Sequence, residues 1–205
     1  MRYAGLMGAS AAVIGINSCH KDDTNNGVDL GSGDIGILNY AYALEQLEAA
    51  FYIQVASSFY AGATVDEKIF LTDIRDHEIA HREFFKNAIG ASKIQDLEVN
   101  FASINFTSRD SVLGTAMAFE DLGVTAYNGA GYLIKDANYL LLAGKIVSVE
   151  ARHAALIREL ISANSFLGDQ IDANSVNMSR TPMEVLAIAG SYIKTKINAS
   201  NLPTG

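Results

Sequence analysis

The residues of this chain that could do chemistry fall into a repeat. Ala41-Tyr-Ala-Leu-Glu45-Gln-Leu-Glu-Ala-Ala-Phe-Tyr52 lies over Ala116-Met-Ala-Phe-Glu120-Asp-Leu-Gly-Val-Thr-Ala-Tyr127, pairing Glu45 with Glu120 and Tyr52 with Tyr127. Glu78-Ile-Ala-His81 likewise matches Glu150-Ala-Arg-His153. On a helix, seven residues are about two turns, so each Glu and its later Tyr share a face. Three residues are slightly less than one turn, so each Glu-x-x-His can aim both side chains at one ion. Four carboxylates and two imidazoles suit a pair of divalent cations. The carboxylates offset charge in a low-dielectric interior, and the donor set fits iron, manganese or zinc rather than thiolate-seeking metals.

One Glu-x-x-His alone is more often a solvated pair on a helix surface than a ligand pair. The joint pattern carries the argument, because two copies each follow a Glu with a Tyr two turns on, in matching order. The six expected ligands are therefore Glu45, Glu78, His81, Glu120, Glu150 and His153. Glu48, one turn after Glu45, is an alternative or extra ligand, although the repeat pairs it with Gly123. Asp73, His77 and His81 could form a mononuclear zinc face, a reading that leaves the matching half of the repeat unused. The groups that orient the two histidines cannot be assigned from their neighbours, since His77 precedes Glu78 but Val149 precedes Glu150.

These residues need helices to position them. The only prolines are Pro182 and Pro203, so nothing before them carries the strongest helix breaker. Apolar residues at helical spacing predict an all-α fold. The first helix runs from about Asp34, as N-cap, to Tyr60, and the second from Val65 to Ile89. A third covers Asp110 to Gly131, and a fourth Asp136 to Ala163. Between the second and third, residues 90–109 show no strong helical period over their second half, and a crossover along the length of a bundle would account for them. Thr181-Pro182 should open a shorter C-terminal helix reaching about Ile197.

Residues 1–18 form a small, uncharged apolar stretch behind a single Arg, and they read as a signal peptide. Cys19 is the sole cysteine, so it has no disulfide partner within the chain. Ile16-Asn17-Ser18-Cys19 resembles a bacterial lipobox, which implies lipidation of Cys19 and a membrane anchor. Residues 19–33 are polar and glycine-rich, as a flexible tether would be. The expected organisation is leader 1–18, tether 19–33, bundle 34–163 and C-terminal segment 164–205. The formal net charge of −8, with no large cluster of Lys and Arg, argues against nucleic acid as a partner.

The order Glu, Glu-x-x-His, Glu, Glu-x-x-His resembles that of the ferritin-like superfamily. Leu38 to Tyr52 looks most like the ferritin-like domain of desiccation-related proteins. The resemblance implies a four-helix bundle with a long crossover between helices two and three, and two iron ions held by the six residues above. It also implies that Tyr52 and Tyr127 stand beside the metals as hydrogen-bond donors. In a redox enzyme they would tune the centre or supply electrons, which makes them the candidate catalytic residues. Two readings follow. One is iron(II) oxidation or the reduction of dioxygen or peroxide at the bacterial cell envelope. The other is a non-catalytic, metal-binding, stress-protective protein. A lipid-tethered subunit fits a closed storage cage poorly, and whether the chain forms a homodimer stays open.

Overall fold

The computed structural model describes residues 27–204. The leader, Cys19 and most of the polar stretch after it lie outside the described residues. Among the described residues there are five α-helices: α1 (Gly33–Ser57), α2 (Val65–Ile89), α3 (Arg109–Gly131), α4 (Ala137–Ile161) and α5 (Pro182–Ala189). Two short strands, β1 (Val28–Asp29) and β2 (Ile197–Asn198), pair in parallel. The all-α expectation holds, with a four-helix bundle and one further C-terminal helix.

Local sequence sets the helix ends. Thr64 and Glu67 form a capping box at the start of α2, and Thr181 and Glu184 form another at α5, where Pro182 fills the first turn. Asp136 caps α4 by accepting from the backbone N–H of Asn138 at 2.7 Å. The start of α1 differs from expectation. Its N-cap is Ser32, and Asp34 instead accepts the backbone N–H groups of Lys135 and Asp136, at 2.9 and 2.8 Å. Asp34 therefore ties α1 to the α3–α4 turn. The C-terminal helix is also shorter than its apolar period suggested. It ends at Ala189, and the chain beyond turns into β2.

Helices α1 and α2 form one hairpin, and α3 and α4 the other. The crossover returns along α1, which makes α1 the central element: every residue from Gly36 to Ala49 is buried. Irregular backbone running against a helix needs hydrogen-bond partners, and one face of α1 supplies them. Asn39 donates to Ser92 O and accepts from Ile94 N, while Gln46 accepts from Leu97 N at 2.7 Å. The opposite face of α1 is left for the ligand residues.

The C-terminal segment packs against the rest. Backbone bonds join Lys194 N to Glu98 O and Asn100 N to Tyr192 O, at 2.7 Å each. Arg180 N donates to Thr125 O on α3, where Gly129 has no Cβ to strike the passing Arg180 carbonyl. At the other terminus, β1 pairs with β2 and Leu30 is fully buried. The bundle side of the stretch read as a tether is thus part of the fold.

Candidate metal centre

Helices α1 and α3 run antiparallel, so each brings its glutamate opposite the other's tyrosine. Tyr52 Oη donates to Glu120 Oε1 at 2.5 Å, and Tyr127 Oη donates to Glu45 Oε1. The repeat's Glu-to-Tyr spacing is what lets both bonds form across the pair. Helices α2 and α4 complete the cluster. His81 Nδ1 lies 2.8 Å from Glu150 Oε1, and His153 Nδ1 lies 2.8 Å from Glu78 Oε1.

All six predicted residues come together in two overlapping groups. Glu45, Glu78, His81 and Glu150 form one, and Glu78, Glu120, Glu150 and His153 the other, each with its donor atoms within 4.8 Å of one another. Glu78 and Glu150 belong to both groups, as carboxylates that bridge two ions would. Glu45 and His81 belong to one end, Glu120 and His153 to the other. The four glutamates are fully buried.

Burying four carboxylates is costly unless something neutralises them. Among the described residues, His81 and His153 are the groups that meet these carboxylates as cations. Burial raises Glu45 to about 7 against the pull of His81. It also raises Glu120, and it raises Glu150 well above the usual range with help from Glu78 and Glu45. Burial alone would raise Glu78 too, but His153 and His81 bring it down to about 2. Burial depresses an imidazole, yet Glu120 and Glu78 hold His153 up at about 11. Glu150, Glu45 and Glu78 likewise raise His81.

The inward atoms remain without hydrogen-bond partners. Both oxygens of Glu78 and of Glu150, Oε2 of Glu45, Oε2 of Glu120 and Nδ1 of each histidine are buried without a hydrogen bond, although the histidine nitrogens lie within ion-pair distance of the carboxylates. The close N···O approaches lack the angles of a hydrogen bond. Buried polar atoms are normally satisfied, and eight orphans on six residues around one point are the arrangement that bound cations would satisfy.

Two further groups adjoin the cluster. His77 Nδ1 lies 2.9 Å from Nε2 of His153, with the rings stacked, so an exposed imidazole backs the buried one. His77 thus backs a residue of the cluster. The sequence offered a histidine there but no way to see that it reaches across to α4. Val149, its counterpart, has no polar group to offer His81. Glu48 is also buried, with its Oε1 only 3.2 Å from where a Cβ on Gly123 would sit. Burial, then Glu150, Glu78, Glu120 and Glu45, push its carboxyl well up. Glu48 is a fifth carboxylate of the cluster, and the glycine that the repeat puts in its place on α3 leaves room for it.

The ferritin-like domain family matches residues 33–163, and the chain belongs to that family. No curated protein matches the chain. The fold and the buried Glu/His cluster are compatible with metal binding.

Proposed function

We propose that this protein is a dinuclear metal protein that oxidises iron(II) with dioxygen or peroxide. The observation that carries the reading is the convergence of eight buried atoms without a hydrogen bond on Glu45, Glu78, His81, Glu120, Glu150 and His153. These residues fit a pair of cations in number, chemistry and position. Glu78 and Glu150 would be shared by the two sets of ligands, which Glu45 with His81 and Glu120 with His153 would complete. Bound iron would supply one electron per ion to the oxidant.

The chain's own residues do the rest. Four carboxylates balance the cationic charge in a site sealed from water. Tyr52 and Tyr127 hold one oxygen each of Glu120 and Glu45, which fixes the other oxygen toward the interior. Both phenol groups are pushed well up, by burial and then by those same glutamates, so they stay protonated and keep donating. Manganese or zinc would suit the same donors.

The resemblance to desiccation-related proteins and the lipobox-like sequence before Cys19 support an anchored envelope protein, with membrane contact through the lipid. Elemental analysis after anaerobic iron(II) loading, followed by oxygen and peroxide consumption, tests the reading. About two ions per chain with rapid consumption is the expected result. Bound metal without consumption would leave a non-catalytic, stress-protective module, and no bound metal would end the dinuclear reading.

A further inference from the structure

The bundle is not equally filled on both sides of the cluster. Beyond Tyr52, Phe51 lies edge-on to Phe119 at 5.2 Å between ring centres and to Phe101 at 6.0 Å, with Phe106 at 5.8 Å. Two of those rings come from the crossover, and Tyr192 of the C-terminal segment covers Phe119 at 4.8 Å. That end is closed by aromatics. The repeat places Ala126 where Phe51 stands. Around Ala126 there is a cavity, walled by Ala41, Phe85, Tyr127, Ala143 and Ile146 from all four helices.

The cavity lies about one helical turn from the cluster. Ala41 is one turn before Glu45, Phe85 one turn after His81 and Ile146 one turn before Glu150. Tyr127, part of the wall, donates to Glu45. About 20 Å³ is open to the centre of a water-sized sphere, enough for one small guest. Few polar groups are there to hold a water. The Tyr127 hydroxyl is committed to Glu45, which leaves the unpaired hydroxyl of Tyr40 and that of half-buried Tyr139. Buried water is usually held by about two to four polar partners, whereas apolar cavities stay dry and accept apolar guests such as xenon. Phe84, 38% exposed, also lines the cavity, so the wall is one side chain thick there.

We propose that this cavity binds a small apolar gas, dioxygen, beside the Glu45–His81 half of the centre. The identity of the gas rests on the proposed redox function. Peroxide, with two O–H groups to satisfy, is the poorer guest, so the cavity sets dioxygen as the oxidant that is concentrated next to the metals. Delivery is from one side, because beyond Tyr52 the matching place is occupied by Phe51 and its aromatic neighbours.

Xenon tests the cavity apart from the reaction. Iron-loaded protein is examined by xenon-pressurised crystallography and by xenon NMR, with Ala126→Leu and Ala143→Leu alongside. These two variants fill the space from different helices, so a fold defect in one does not remove the test. The expected result is one xenon atom against Tyr127 in wild type. In the variants the xenon is lost, metal content is kept, and a higher dioxygen concentration is needed for half-maximal iron(II) oxidation. Ordered water in the wild-type cavity with no xenon, alongside normal iron(II) oxidation, would overturn the cavity proposal alone. Unchanged dioxygen dependence in filled variants would overturn it too. Xenon uptake with no iron(II) oxidation would overturn the redox function, and dioxygen as the guest with it.

Discussion

Glu45 with His81, and Glu120 with His153, occupy matching places in an internal repeat, yet their surroundings differ at each outer contact. His153 is backed by His77 and only 5% of its side chain is exposed, while His81 is 13% exposed and the repeat puts Val149 on α4 in the place of His77. Glu48 adds a carboxylate from α1, and Gly123 on α3 adds nothing. The Glu45–His81 half adjoins an apolar cavity, whereas the Tyr52 end is packed with phenylalanine. The inward-facing pattern is held in duplicate, and the divergence lies one layer out. Two metal ions in such a site would bind with different strengths and meet different environments.

The largest expected effect comes from removing what the halves share. Glu78→Ala or Glu150→Ala should lose both ions, since each belongs to both donor groups. Glu45→Ala and Glu120→Ala should each lose mainly the ion of their own half. Elemental analysis of all four variants decides this, and equal metal loss across them would erase the distinction between shared and end residues.

Next in size is the backing histidine. Partners of ligating imidazoles are worth about 10–100-fold in metal affinity. His77→Leu should therefore weaken one of two cobalt(II) ions by about tenfold and spare the other, read from visible spectra in competition with a chelator. Equal weakening of both ions would mean that His77 does not distinguish the halves.

Metal uptake should also release protons. Glu120 and Glu78 hold His153 protonated at neutral pH in the metal-free protein, and Glu150, Glu45 and Glu78 do the same for His81. An imidazole must be neutral to ligate, so affinity should rise with pH and loading should acidify an unbuffered solution. Titrations in buffers of different ionisation enthalpy measure the protons. Fewer than the two imidazole protons would show that one half is already neutral.

Much of this was legible in the sequence, for identifiable reasons. Helix α2 runs from Val65 to Ile89 as its caps require, and the six clustered residues stand where the repeat placed them. Spacing along a helix fixes its faces, so convergence of two hairpins follows. What was not legible depends on contacts between distant segments. Asp34 reads as a cap for its own helix because tertiary partners such as Lys135 N leave no mark on local sequence. The apolar period past Ala189 is shared between a helix and a strand that pairs with residues near the other terminus. His77 reaching His153, and Ala126 leaving space where Phe51 fills it, likewise needed the bundle to be assembled.

The smallest effect concerns Glu48, the one carboxylate without a counterpart. In the metal-free protein its folded pKa lies well above the ordinary value, because of burial and then the charges of Glu150, Glu78, Glu120 and Glu45. A carboxyl raised on folding binds its proton more tightly in the native state. It costs nothing below the ordinary carboxylate pKa and destabilises the fold progressively as pH rises above it. Glu48→Gln removes the ionisation while keeping the shape. The metal-free melting temperature should therefore rise in the variant, more at pH 8 than at pH 5, by about 2–4 °C for each kcal/mol relieved. With metal bound the sign should reverse, since a fifth negative charge beside two cations is then favourable. An equal gain with and without metal would mean that Glu48 does not sense the ions, and the asymmetry between the α1 and α3 faces would reduce to packing around Gly123.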